Sequence, residues 1–214
     1  MSWLPFQAAW GIFMGIVNFF YWFVMWPLVF FLLSCFVVTL VVREVVLQRL
    51  RRHTSAFWLF LSGEALLFGS LFVSVIWGED SGTGVLADGL EFPLVSCFLL
   101  LTSSVTMTVY HHCYGLYVGR LFLYLTMFLG LLFIFVQVFE FYGSASDALY
   151  CLYFSASYLT VGLHFTHVVI GLLAMTFLLI IGAEGHYYYS SLVVWYWHFV
   201  DYVWLWVYLL IYYN

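Results

Sequence analysis

The sequence has no lysine and only five arginines in 214 residues, and charged side chains make up 7% of it. Soluble domains carry about 25%. So few charges cannot coat the surface of a water-soluble globule of this length, which excludes that class. The scarcity of cations also excludes nucleic-acid binding, which needs a basic stripe or patch. Cysteine is sparse: Cys35, Cys97, Cys113 and Cys151 are scattered through apolar stretches without any CxxC spacing. That argues against a disulfide framework or a zinc knuckle, and the four read as small apolar residues of helix interiors. The opening stretch "MSWLPFQAAWGIF" lacks the positive region and cleavage site of a signal peptide and the Arg-rich pattern of a transit peptide. The first apolar span is therefore expected to stay in the mature chain. What is present is oil: 66% of the residues are hydrophobic and 24% aromatic. These proportions describe an integral membrane protein.

A membrane-spanning helix needs about 20 predominantly apolar residues. Seven stretches qualify, at roughly 6–24, 28–47, 56–77, 92–113, 118–140, 147–181 and 187–212. The expected fold is an all-α polytopic membrane protein of seven helices forming one domain over residues 1–214, without internal repeat or linker. Pro27 in "MWPLV" suits the first turn of the second helix. The sixth stretch is longer than a span requires and should tilt or protrude. The arginines test the count. Arg43, Arg49, Arg51 and Arg52 fall between spans two and three, and Arg120 between spans four and five. Seven spans put both loops on one side with the N-terminus. Glu79, Asp80, Asp88, Glu91 and Asp147 then fall on the other. By the positive-inside rule the arginine side is the cytoplasm or matrix.

Ionisable residues within such spans usually face the bundle interior and find partners there. Glu64, His111, His112, Glu140, His164, His167, His198 and Asp201 fall inside the expected spans. His111, His112 and Glu140 lie near span ends, where snorkelling to the interface costs little. His198 and Asp201, in "WYWHFVDYVW", are three apart and share one helix face. They pair with each other or with a neighbouring helix, and serve either as a polar bolt or as a proton relay. His164 and His167 in "VGLHFTHVVIG" share a face in the same way. Two readings stay open for them: imidazoles offered to a haem or metal, or helix-to-helix hydrogen bonds with Gly162 and Gly171 allowing close approach. No Glu-x-x-His motif of the di-iron carboxylate type occurs. Glu64 in "FLSGEALLFGSLF" is a lone carboxyl with no partner visible from sequence, and is the best single candidate for proton traffic.

"VVWYWHFVDYVWLWVYLLIYY" resembles the terminal helix of cytochrome c oxidase subunit III, whose signature reads WYWHFVDxVW. Four further stretches agree in order. "REVV" with "RHT" is similar to the family's basic loop, and "SGEALLF" places Glu64 on its membrane-embedded glutamate. "PLVSCFLLLTSSVTMTVYHH" matches through Pro93, Ser103, Ser104, Thr106, Thr108, His111 and His112. "LGLLFIFVQVFEFY" and "VGLHFTHVVIG" match through Gln137, Glu140, Gly162, His164 and His167. The resemblance runs from about residue 40 onward. There are departures: Ser191 stands where the family has a glutamate, and Val41 and Val42 replace a tryptophan pair. The connection before the last helix is trimmed to "GAEGHYYY".

The resemblance implies a core subunit of the haem–copper terminal oxidase that binds no cofactor itself, with haem a, haem a3 and copper in partner subunits. It implies two N-terminal helices and five later ones separated by a V-shaped cleft holding phospholipid. The five-helix side would pack beside subunit I, supporting its oxygen-reducing site and modulating proton uptake and oxygen access. Glu64 would then be the buried carboxylate linked to proton uptake, and Arg43, Arg51, Arg52 and His53 would meet lipid headgroups. His111, His112, Glu140, His164, His167, His198 and Asp201 would make polar contacts between helices, with no metal ligand among them. The lysine-free composition and short loops point to a mitochondrial inner membrane rather than a bacterial plasma membrane, with the N-terminus in the matrix and the C-terminus in the intermembrane space. The competing readings are a proton channel or transporter and a bis-His haem membrane protein.

Overall fold

The computed structural model describes residues 54–79, 91–143, 151–181 and 187–213. The first two expected spans lie outside the described residues, as do Arg43, Arg51, Arg52 and His53. All the regular structure described is helical: α1 Thr54–Gly78, α2 Phe92–His112, α3 Tyr117–Gly143, α4 Leu152–Ile181 and α5 Tyr187–Val207. The last runs on into a π-helical turn, Tyr208–Tyr212, in which Tyr213 N–H donates to Tyr208 O at 3.1 Å. Where 147–181 was expected as one span, the helix begins at Leu152.

Four of these helices are long and apolar enough to cross a membrane, namely α1, α2, α3 and residues 152–180 of α4. α5 is not among them, since Tyr, Ser, His and Asp are interspersed among its apolar residues. The chemistry of the four suits lipid. Several of their exposed hydroxyls are spent within the helix: Ser62 donates to Leu59 O, Ser70 to Leu67 O and Thr102 to Phe98 O, at 2.7–2.9 Å. These three donors are then met where hydrocarbon would leave them bare, and an unmet polar group there is costly. Their outward faces carry large apolar side chains such as Leu59, Leu66, Phe98, Phe128 and Ile180.

α2 and α3 form an antiparallel hairpin and the most extensive helix pair. Pro93 sits in the first turn of α2, where its missing N–H is no loss. The hairpin turns through Cys113–Leu116 with Gly115 at φ +82°, a left-handed conformation that favours glycine. α1 packs on α4, while α5 touches α1, α2 and α4 and so lies at the centre. Rings of Phe57 and Trp58, at the start of α1, meet Trp195 of α5. The end of α2 meets the start of α5 through His111 and Tyr187. Thr54 and the turn leading to Arg120 therefore lie at one end of the bundle. Gly78 and Tyr153 lie together at the other.

One tryptophan organises the interior. Trp197 of α5 is fully buried and donates its indole N–H to Ser103 Oγ of α2 at 3.0 Å. A Cβ added to Gly171 of α4 would stand 2.8 Å from two of its ring carbons, and one added to Gly130 of α3 would stand 3.1 Å from a third. The indole thus fills a slot between two helix backbones, the close approach that small residues permit in membranes. Of the two glycines expected to allow such packing, Gly171 does; Gly162 has nothing within 4 Å of its would-be Cβ. Gly171→Val should therefore destabilise the bundle by about 1–3 kcal/mol, the usual cost of overpacking. Gly162→Val should not overpack it, and thermal unfolding of the solubilised protein would separate the two.

Candidate functional site

The buried and half-buried histidines and carboxyls described in this bundle fall into four groups. The first joins α1 to α4. His167 Nε2 lies 3.1 Å from Glu64 Oε2, and Nδ1 lies 2.8 Å from the carbonyl of Leu163. A carbonyl can only accept, so Nδ1 carries a hydrogen and donates it. The Nε2–Oε2 contact then holds a single proton, either on the carboxyl or on an imidazolium. Phe68, whose ring stands 5.3 Å from the imidazole, and Tyr196, stacked at 6.3 Å, wall the pair. The His167 side chain is 8% exposed and that of Glu64 24%, so the carboxyl is the outward member. Sequence reasoning gave Glu64 no partner; 103 residues separate it from the one it has.

The second group runs along the α2–α5 seam. His198 does not bond Asp201, its helix neighbour; it reaches across to α2, with Nδ1 2.8 Å from Ser104 Oγ and Nε2 3.4 Å from Thr108 Oγ1. Asp201, 5% exposed, completes no hydrogen bond with either carboxyl oxygen. Nearer the α2 C-terminus, His111 Nε2 lies 3.2 Å from Ser191 Oγ, and Ser190 donates to Tyr110 Oη at 2.8 Å. Ser191, conspicuous in sequence as a departure from a glutamate, is thus the hydrogen-bond partner of a histidine. His112 is exposed and meets only the ring of adjacent His111 on its own helix. The expected helix-to-helix contact is not made by His112, because the turn of α2 carries it outward.

The third group surrounds Glu140. Gln137 donates its amide to Glu140 Oε2 at 3.0 Å, one turn away on α3. The fourth is His164, fully buried, which donates Nε2–H to the carbonyl of Val200 at 3.1 Å. Phe133 and Trp204 pack edge-on and tilted around its ring, with centroids 5.7 and 4.9 Å away. His164 and His167 share a helix face as their spacing requires, yet one turns to α5 and the other to α1. Among the described residues, no three His, Cys, Asp or Glu side chains converge as a metal set. Cys97, Cys113 and Cys151 are free thiols.

His111, His164, His167 and His198 make polar cross-links between helices, with one carboxyl–imidazole pair able to shift a proton. The expected contacts of Glu140 and Asp201 are not of that kind, because Glu140 is bonded by Gln137 of its own helix and Asp201 completes no hydrogen bond. Residues 40–214 match the family model described as cytochrome c oxidase subunit III. The chain belongs to the cytochrome c oxidase subunit III family. Relatives named cytochrome c oxidase subunit 3 include that of Loxodonta africana, 33% identical over 178 residues, covering 72% of this chain and 66% of the relative. That of Bacillus subtilis (strain 168) is 34% identical over 180 residues, covering 73% of this chain and 83% of the relative. The Branchiostoma lanceolatum protein is 37% identical over 133 residues, covering 56% and 49%. The chain thus spans from about half to just under two thirds of the length of these two animal relatives. The subunit III match includes all five described helices and every polar group above.

Proposed function

We propose that this chain serves as subunit III of respiratory complex IV, a core subunit without redox centres that supports subunit I. The family match over residues 40–214 carries this reading. Electron transfer from cytochrome c to oxygen, with haem a, haem a3 and copper, belongs to its partners. Its own residues give rigidity and handle protons: Glu64 and His167, 3.1 Å apart and sharing one proton, are the pair linked to proton uptake. His111, His164 and His198, each bonded to a neighbouring helix, hold the bundle together.

In this reading seven helices thread the membrane as one domain. Two N-terminal helices and five later ones flank a cleft occupied by phospholipid, with Arg43, Arg51, Arg52 and His53 at the headgroups through charge-assisted bonds. The membrane is the mitochondrial inner membrane, with the N-terminus in the matrix and the C-terminus in the intermembrane space. Lysine-free composition and trimmed loops support the mitochondrial placement, and the arginine distribution supports the orientation.

Purification of the tagged chain in mild detergent tests the role. Haem–copper subunits should co-purify in stoichiometric amount, and the separated chain should show no Soret absorption. Recovery of the folded chain without them would overturn the assignment.

A further inference from the structure

The slot filled by Trp197 divides the interior of the bundle. Toward the Arg120 end, buried polar groups complete hydrogen bonds: Thr106 with Thr126, Ser190 with Tyr110, and the His198 ring with Ser104 and Thr108. Toward the Tyr153 end many do not. Among the described residues, eight side-chain atoms are buried without a hydrogen bond to protein. On α5 they are both oxygens of Asp201 and the indole nitrogen of Trp204, followed by the Tyr212 hydroxyl in the π-helical turn. The neighbouring helices contribute Ser96 Oγ of α2, Gln137 Oε1 of α3, and Ser157 Oγ and His164 Nδ1 of α4. Buried polar groups without partners are rare, and so many in one region call for a common cause.

Helix register puts all eight on the Tyr153 side of Trp197. Trp197 stands level with Ser103, Gly130 and Gly171. From there α5 runs on past Trp204, whose ring lies 4.9 Å from those of Phe133 on α3 and His164 on α4. It ends near Tyr212, whose ring is 6.3 Å from that of Trp204. Ser96 precedes Ser103 by about two turns on α2, and Ser157 precedes His164 by about two on α4. Gln137 follows Phe133 by about one turn on α3. Each lies on the buried face of its helix. At the far end the Tyr153 hydroxyl donates to Ile211 O at 3.1 Å.

Hydrogen-bond direction decides what such a region can hold. His164 gives its Nε2 hydrogen to the carbonyl of Val200, so in a neutral ring Nδ1 only accepts. Gln137 Oε1 also only accepts, whereas the Trp204 N–H only donates. A bound cation would leave the indole N–H unmet, and a bound anion would leave Nδ1 and Oε1 unmet. Water serves both kinds, and a buried water typically takes about three hydrogen bonds from groups of this sort. We propose that the interior around α5 from Asp201 to Tyr212 binds water, which bridges the unmet donors to the unmet acceptors, with Trp197 as the dry plug that ends it. One bridge joins the Trp204 N–H to His164 Nδ1, whose rings are adjacent on α5 and α4. The Asp201 carboxyl is solvated within the same region and takes no partner from another helix.

Tryptophan hydrogen exchange tests this in the detergent-purified, assembled protein. Trp197 and Trp204 are both fully buried, so burial by itself protects their indoles equally. With nitrogen-15 labelling, and signals assigned through Trp197→Phe and Trp204→Phe, the Trp204 N–H should exchange into D2O about tenfold or more faster than the Trp197 N–H, which is bonded to Ser103. A cryo-electron microscopy map that resolves waters needs no variant, and should show ordered density within hydrogen-bond distance of Trp204 Nε1 and His164 Nδ1. Ser157→Ala supplies a test of sign. Losing a hydroxyl bonded to water should lower the unfolding temperature, whereas losing an unmet one would raise it. Trp204 exchange as slow as that of Trp197, a map with protein packed against both nitrogens, or a raised unfolding temperature in Ser157→Ala would each overturn the hydrated interior.

Discussion

Replacing Trp197 with alanine should cost about 3–5 kcal/mol, the range for emptying a close-packed aromatic site, and should leave the subunit unable to hold its place in a complex. The indole fills the slot between Gly130 of α3 and Gly171 of α4 and bonds Ser103 of α2. Four helices therefore lose their shared contact at once. Glycines on both walls cannot extend side chains into the void, so the site has little capacity to collapse. Trp197→Phe should cost much less. It keeps most of the bulk, and the Ser103 hydroxyl still donates to the Leu100 carbonyl at 2.7 Å. Thermal unfolding of the purified protein and the amount of subunit retained by the complex would both report it. Equal behaviour of the two variants would show that the slot is not tightly packed.

Glu64 is the second position where a large effect is expected, and two substitutions separate its two jobs. Glu64→Leu leaves His167 Nε2 without its partner, which should cost about 1–3 kcal/mol, the penalty for an unmet buried polar group. Glu64→Gln should assemble normally, because the amide can donate to Nε2 in place of the carboxyl. The amide holds no transferable proton, however. Both variants should therefore slow proton uptake by the oxidase while leaving its haem spectrum unchanged. Stopped-flow measurement with a pH dye would follow uptake, and thermal unfolding would follow stability. A Glu64→Gln oxidase with wild-type uptake would reduce the pair to a fastener between α1 and α4.

The helices were the legible part of this fold, since lipid imposes a length of apolar sequence that can be counted. α4 is described from Leu152, and residues 147–150 of the expected span lie outside the described residues. The site was legible in its inventory and not in its pairings. Spacing placed His198 and Asp201 on one face correctly. It could not show that Ser104 and Thr108 were waiting opposite, because serines and threonines look alike whether they bond their own helix or another. Ser62 and Ser70 bond their own. Trp197 gave no signal at all among ten tryptophans, since its importance comes from two glycines on different helices. Gln137 and Glu140 are the exception: their spacing of three on one helix is itself a readable signal.

The central position of α5 bears on biosynthesis. Every helix it touches precedes it along the chain, so during translation those helices enter the bilayer with their shared centre still empty. The α2–α3 hairpin can close by itself, but Ser103, Gly130 and Gly171 must wait for an indole that emerges later. A ribosome that stops before Trp197 would release a chain whose inner faces are open to lipid and to proteases. Closure of the bundle thus depends on synthesis of α5 being carried through.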